Sequence, residues 1–157
     1  MSVETKTIDT PNEIINKAVD KISDILSKRY PEHLSFDNGS FTISHGSTQV
    51  MIIVRPFTND DACVECVATV AAGSNITNDL LRFVLMKNYE LHFGAFGLLF
   101  DDTITFSHSF SANCLDIGEL EITLDSVATI ADYYDDIIVE TAGGKRAKDL
   151  EKDMMKQ

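Results

Sequence analysis

The sequence predicts an α+β fold in which an antiparallel sheet carries its helices mainly on one face. Three observations support this. Apolar residues recur at three- and four-residue spacing near the start, in the middle and near the end of the chain, as on one side of a helix. Between these stretches lie β-branched or alternating runs, three before the middle helix and two after it. The links within each group of runs are short, which favours antiparallel neighbours over crossovers.

The elements follow in order. Residues 1–11 are expected to form a flexible lead-in. Thr10 is placed to cap a helix, Pro11 suits its first position, and Glu13 lies three residues past the cap. Ile15, Ala18, Val19, Ile22, Ile25 and Leu26 then make the apolar stripe. Pro31 disfavours helical geometry at Tyr30, so the helix should end there. Asp37-Asn38-Gly39 reads as a turn. Three strands follow: Phe41 to His45, Thr48 to about Pro56, and Cys63 to Ala71. Ser74 to Asn78 offers several caps for a helix carrying Leu80, Leu81, Val84, Leu85 and Tyr89. Strands at Gly94 to Phe100 and Thr103 to Phe110 flank an Asp101-Asp102 turn. A long helix runs from Asp116 to about Glu140, with Gly143-Gly144 ending it. The order is α-β-β-β-α-β-β-α within one domain, residues 12–142, and residues 143–157 form a charged, mobile tail.

Bulk properties narrow the function. The 157 residues include 25 acidic and 13 basic ones, a net charge of −12. Phosphate binding needs clustered Lys and Arg, so nucleic acid is disfavoured, as is an anionic membrane surface. No apolar run approaches the ~20 residues of a membrane helix, and the polar start does not read as a signal peptide. A cytoplasmic protein is therefore expected, and three cysteines there imply no disulfide framework.

Each motif that could carry chemistry fails on context. Cys63-Val64-Glu65-Cys66 matches the redox spacing C-x-x-C, but it falls inside a strand. A separation of three residues then places the two thiols on opposite faces, where they share neither a disulfide nor a metal. His33, His45, His92 and His108 show no ligand spacing. Gly143-Gly144-Lys145 lacks the rest of a phosphate loop, and no serine elbow is present. Asp60-Asp61, Asp101-Asp102 and Asp135-Asp136 lack the pattern of a calcium loop. Asp132, Asp135 and Asp136 sit near a helix C-terminus, where the macrodipole opposes them; either a basic partner docks there or the mild cost is tolerated. No motif points to enzyme activity, a cofactor or a metal.

What remains is a surplus of apolar surface. Val50 to Val54 and Gly94 to Phe100 are apolar on both strand faces, as in central strands or strands with a second cover. Phe83 and Met86 fall off the main face of the middle helix. One layer of helices covers only one side of the sheet. Either a partner meets the other side, or a third layer comes from the tails or the first helix. The candidate partner-binding residues are Met51, Ile53, Phe83, Met86, Phe96, Leu98 and Phe100. A regulatory small-molecule pocket between sheet and helices is the alternative.

The order of elements resembles the type III secretion chaperone-like fold, and more closely its YbjN-like members. The stretches that carry the resemblance are Thr48 to Pro56 (TQVMIIVRP), Leu80 to Asn88, Phe93-Gly94-Ala95-Phe96-Gly97-Leu98 leading into Ile104-Thr105-Phe106, and Leu120 to Tyr134. It spans roughly residues 12–140. The resemblance implies a non-catalytic, often dimeric cytosolic protein that holds extended segments of other proteins in hydrophobic grooves.

Overall fold

The computed structural model describes residues 9–156; most of the expected lead-in, residues 1–8, lies outside the described part. Helix α1 spans Asn12–Arg29 and is followed by strands β1 (Leu34–Ser35), β2 (Phe41–His45), β3 (Thr48–Pro56) and β4 (Ala62–Ala72). Helix α2 (Asn78–Glu90), strands β5 (Ala95–Leu98) and β6 (Ile104–Ser111) and helix α3 (Ile117–Ala142) complete the expected order, to which the two-residue β1 is an addition. Beyond it come strand β7 (Lys145–Arg146) and helix α4 (Ala147–Met154). The strands pair antiparallel in the spatial order β1-β2-β3-β4-β6-β5, with β7 added beside the end of β4.

Strand β4 shows why the sheet is two-sided. Ala62, Val64, Cys66, Ala68 and Val70 are buried, while Cys63, Glu65, Val67 and Thr69 are half-buried, the alternation that a pleated strand imposes. Its inner face meets Phe41, Ile43, Val50, Ile52, Ile104 and Phe106, and helices α1 and α3 close over them. Ile22, Ile25 and Leu26 of α1 and Leu120, Leu124, Val127, Ala131 and Ile138 of α3 supply the cover. Each large side chain among these contributes about 1.5–3 kcal/mol on leaving water.

The helix ends largely follow the local signals. Thr77 caps α2 through Leu80 N–H at 3.2 Å, and Asp116 caps α3 through Glu119 N–H at 2.8 Å. Gly143, at φ +72°, ends α3. Thr10 departs from its expected role. Pro11 is the N-cap of α1, and the Thr10 hydroxyl donates to Thr58 O at 2.7 Å and accepts Phe57 N–H at 2.8 Å. A buried hydroxyl is better satisfied by two partners across the fold than by one in its own turn, so Thr10 pins the start of α1 to the β3–β4 loop.

Two further differences set up the functional surfaces. Strand β5, apolar on both faces, lies at the sheet edge, whereas β3 is interior. Past Gly143, where no element was expected, β7 and α4 lie against the sheet face turned away from α1 and α3.

Candidate functional site: two apolar surfaces

The first surface is built by α2 and β5. Only Leu80 of α2 is buried; Leu81, Leu85, Met86 and Tyr89 are exposed. Phe93, Leu98 and Phe100 continue this strip, with Tyr89 at 93% and Phe100 at 102% relative exposure, while Leu99 turns to the outer sheet face. A groove of about 240 Å³ runs between them, lined by Leu81, Val84, Leu85, Asn88, Gly97 and Leu98. Asn88 fixes the helix to the strand. Its side chain accepts Phe96 N–H at 2.6 Å and donates to Phe96 O at 3.2 Å, as a neighbouring strand would. Because Phe96 turns these groups to the open edge, Leu98 two residues on turns its own N–H and C=O the same way.

The second surface is the outer face of the sheet. Met51, Ile53, Val67, Thr69, Thr105 and Ser107 form its floor, and Ala147, Leu150, Glu151 and Met154 of α4 form one wall of a groove of about 470 Å³. Arg55 and Glu65 pair across the floor. Met51 and Ile53 are among the expected partner-binding residues; Val67, Leu150 and Met154 are not. Strand alternation from Cys63 would have located Val67, and the four-residue spacing of Leu150 and Met154 was the one trace of α4.

The seven candidate residues divide among these places. Met51 and Ile53 lie on the outer face, and Met86, Leu98 and Phe100 on the α2–β5 strip. Phe96 belongs to the core and shows only its edge to the α2–β5 groove, packed at 5.1 Å on Phe106 and 5.2 Å on Tyr134. Phe83 lines a separate cavity of about 270 Å³ with Ile137, Ile138 and Thr141, between α2 and α3 instead of between sheet and helices.

Asp125, Asp132, Asp135 and Asp136 of α3 have partners within the chain. Arg146 donates to Asp136 at 2.5 Å and to Asp149 at 2.7 Å, and Lys148 lies 3.9 Å from Asp135. Ser47 donates to Asp132, and His45 meets Asp125 at 2.8 Å. Burial pushes the Asp135 carboxyl above its ordinary range, against the pull of Lys148; the neighbouring Asp136 and Asp132 charges act in the same direction as burial.

Comparison with known families decides the relationship. Residues 14–150 match the family model TY-Chap1, described as "T3SS (YopN, CesT) and YbjN peptide-binding chaperone 1". The chain belongs to this family. Solved structures agree on the fold of this TY-Chap1 protein. A chain of the ExsC–ExsE complex superimposes with a TM-score of 0.61 at 13% identity, over 80% of this chain and 96% of that one. A chain of the HopA1–SchA chaperone–effector complex does so with a TM-score of 0.58 at 10% identity and the same coverage. No curated protein matches in sequence. The resemblance read from TQVMIIVRP and its companion stretches is therefore shown, together with the α+β fold and the peptide-binding class.

The C-x-x-C of this TY-Chap1 protein lies on the strand as expected, with Cys66 on the buried face and Cys63 on the other. Burial pushes the Cys66 thiol up to about 12, with smaller contributions from the Glu65 and Cys63 charges. Native thiol labelling at pH 8 should therefore modify the exposed Cys114 first and Cys66 only on unfolding. Rapid labelling of Cys66 in the folded protein would contradict its placement.

Proposed function

We propose that the protein is a non-catalytic, cytoplasmic holder of extended client segments that works as a homodimer joined through the α2–β5 strip. The carrying observation is the strip itself, the exposed large apolar side chains Leu81, Leu85, Met86, Tyr89, Phe93, Leu98 and Phe100. Charge supports self-association at this place. Two copies at −12 each repel, so a stable contact needs a surface without net negative charge. Arg82 and Lys87 balance Asp79 and Glu90 on α2, and residues 91–100 contain no acid and no Lys or Arg. The same patch facing itself is the commonest symmetric arrangement. Asn88 already occupies the strand edge at Phe96 and leaves only Leu98 turned to it, so side-chain packing carries most of the contact. In the cytoplasm the free Cys63, Cys66 and Cys114 stay reduced.

Light scattering during size exclusion at micromolar concentration tests this. The wild type should elute as a dimer. The double variant Leu85→Glu, Phe100→Glu should elute as a monomer with its melting temperature little changed, because both side chains are exposed in the single chain. A monomeric wild type would refute the dimer, and failure to delay aggregation of an unfolded test protein would refute client holding.

A further inference from the structure

We propose that the outer sheet face and the flank of β4 at Ala71 and Ala72 form a client seat, that the chain's own β7–α4 segment occupies it as a tethered stand-in, and that a basic strand–helix segment of a client displaces that stand-in. The proposal rests on the peptide-binding reading above and adds the seat and the chemistry of its occupant.

The tail shows what the seat accepts. Lys145 and Arg146 add a short antiparallel strand to β4, opposite Ala72 and Ala71. Backbone pairing of this kind is indifferent to side chains, so another extended segment can replace it. The chain then turns into α4, which lays Leu150 and Met154, one helical turn apart, along the groove over Met51, Ile53 and Val67.

Charge selects the class of occupant. Asp132, Asp135 and Asp136 gather negative charge on the C-terminal half of α3. Arg146 and Lys148 answer two of them. The answer is incomplete: Asp135 is 7% exposed, Lys148 stays 3.9 Å from one of its oxygens, and the other has no hydrogen-bond partner among the described residues. An arginine reaching this carboxylate would satisfy both oxygens at once.

The fit of the tail is partial in its apolar part too. Met51 keeps 43% of its exposure under α4, Met154 keeps 77%, and the groove beside them stays open. Exposed ion pairs contribute little each, at about 0–1 kcal/mol. The tail therefore holds its seat mainly because a short tether keeps it at a local concentration of about millimolar. A client with basic residues spaced as Arg146 and Lys148, followed by larger apolar anchors at four-residue spacing, would outcompete it.

The test uses the full chain and a labelled synthetic peptide of residues 143–157 as the probe, followed by fluorescence anisotropy. Wild type should bind the peptide weakly, because the seat is filled. Full-length variants Arg146→Glu and Leu150→Asp, which release the tail without touching the seat, should bind it about tenfold tighter or more. The same peptide with Arg146→Glu and Lys148→Glu should not bind either variant. Equal binding to wild type and release variants would overturn the proposal, as would absence of binding to a release variant that still melts cooperatively. If the release variants ignore the peptide yet still delay aggregation of an unfolded protein, the seat is wrong and the peptide-binding reading stands. If they do neither, that reading falls as well.

Discussion

Replacing Phe106 by Ala should lower stability by about 3–5 kcal/mol, the range for removing a buried aromatic ring. Phe106 is fully buried at the middle of the inner face. Its ring packs edge-on against Phe96 at 5.1 Å, Phe96 packs on Tyr134 of α3 at 5.2 Å, and Tyr134 meets Phe83 of α2 at 6.3 Å. One ring chain thus ties β6, β5, α3 and α2 together. Its tightness is visible at Gly94, which has φ +83°: a Cβ there would lie 2.6 Å from Phe106 Cε1 and 2.6 Å from Ser107 O. Phe96 is held by Tyr134 and by the Asn88 hydrogen bonds, so its ring cannot move in to fill the void without breaking those contacts, and most of the cavity should persist. Chemical denaturation should show a large fall in midpoint with the slope unchanged. A loss under about 1 kcal/mol would mean that the site collapses and that the ring chain is not a structural link. Because Phe96 also borders the α2–β5 groove, a loosened β5 should weaken self-association in the same variant.

The central elements could be read from the sequence because their local and global signals agree. Of the sequence's three- and four-spaced stripe Ile117, Leu120, Leu124, Val127, Ala131, Tyr134 and Ile138, α3 buries Leu120, Leu124, Val127, Ala131 and Ile138, half-buries Tyr134 and leaves Ile117 exposed, and the alternation of Val64, Cys66, Ala68 and Val70 is the inner face of β4. Layer counting also reached the right question about the outer face, since a cover from the tails was one of its two answers and α4 supplies part of one. Three things escaped for physical reasons. Thr10 is a cap by local rules, but a buried hydroxyl answers to partners 47 and 48 residues away. The two-sided apolar run at β5 cannot distinguish an interior strand from an edge strand beside an exposed helix, because both leave the same pattern. Helix α4 is only eight residues long, and its apolar side is Ala147, Leu150 and Met154 alone, too short a stripe to stand out among Lys148, Asp149, Glu151, Lys152 and Asp153. Its place is set by two strand pairs and by ion pairs to α3, which no periodicity records. The candidate residues drawn from apolar surplus consequently mix both surfaces with a core residue, Phe96, and a cavity residue, Phe83.

Gly144→Ala should detach the C-terminal segment while leaving the sheet intact. Gly144 has φ +92°, a region that an L side chain enters at a cost of about 1–2 kcal/mol. The added Cβ would also lie 2.6 Å from Ala72 O and 2.7 Å from Ser74 N and Ser74 Oγ. Two of those atoms are backbone at the end of β4, so something must yield. The sheet cannot yield cheaply, because β4 is paired along its length to β3 and β6. Strand β7 can, because only Lys145 and Arg146 hold it there. The strain therefore resolves by releasing β7, and α4 then loses the anchor that keeps Leu150 over Met51. Gly73→Ala is the matched control. It has φ +72° and bears the same backbone penalty, but its Cβ would meet nothing within 4 Å. Trypsin should cut Gly144→Ala after Lys145 and Arg146 at least tenfold faster than wild type, while Gly73→Ala should lose stability without that change, since cleavage of a locally opened segment tracks its open population. Equal cutting of all three proteins would mean that β7 is not held by close approach to β4, and the tail would then need another explanation for its place on the sheet.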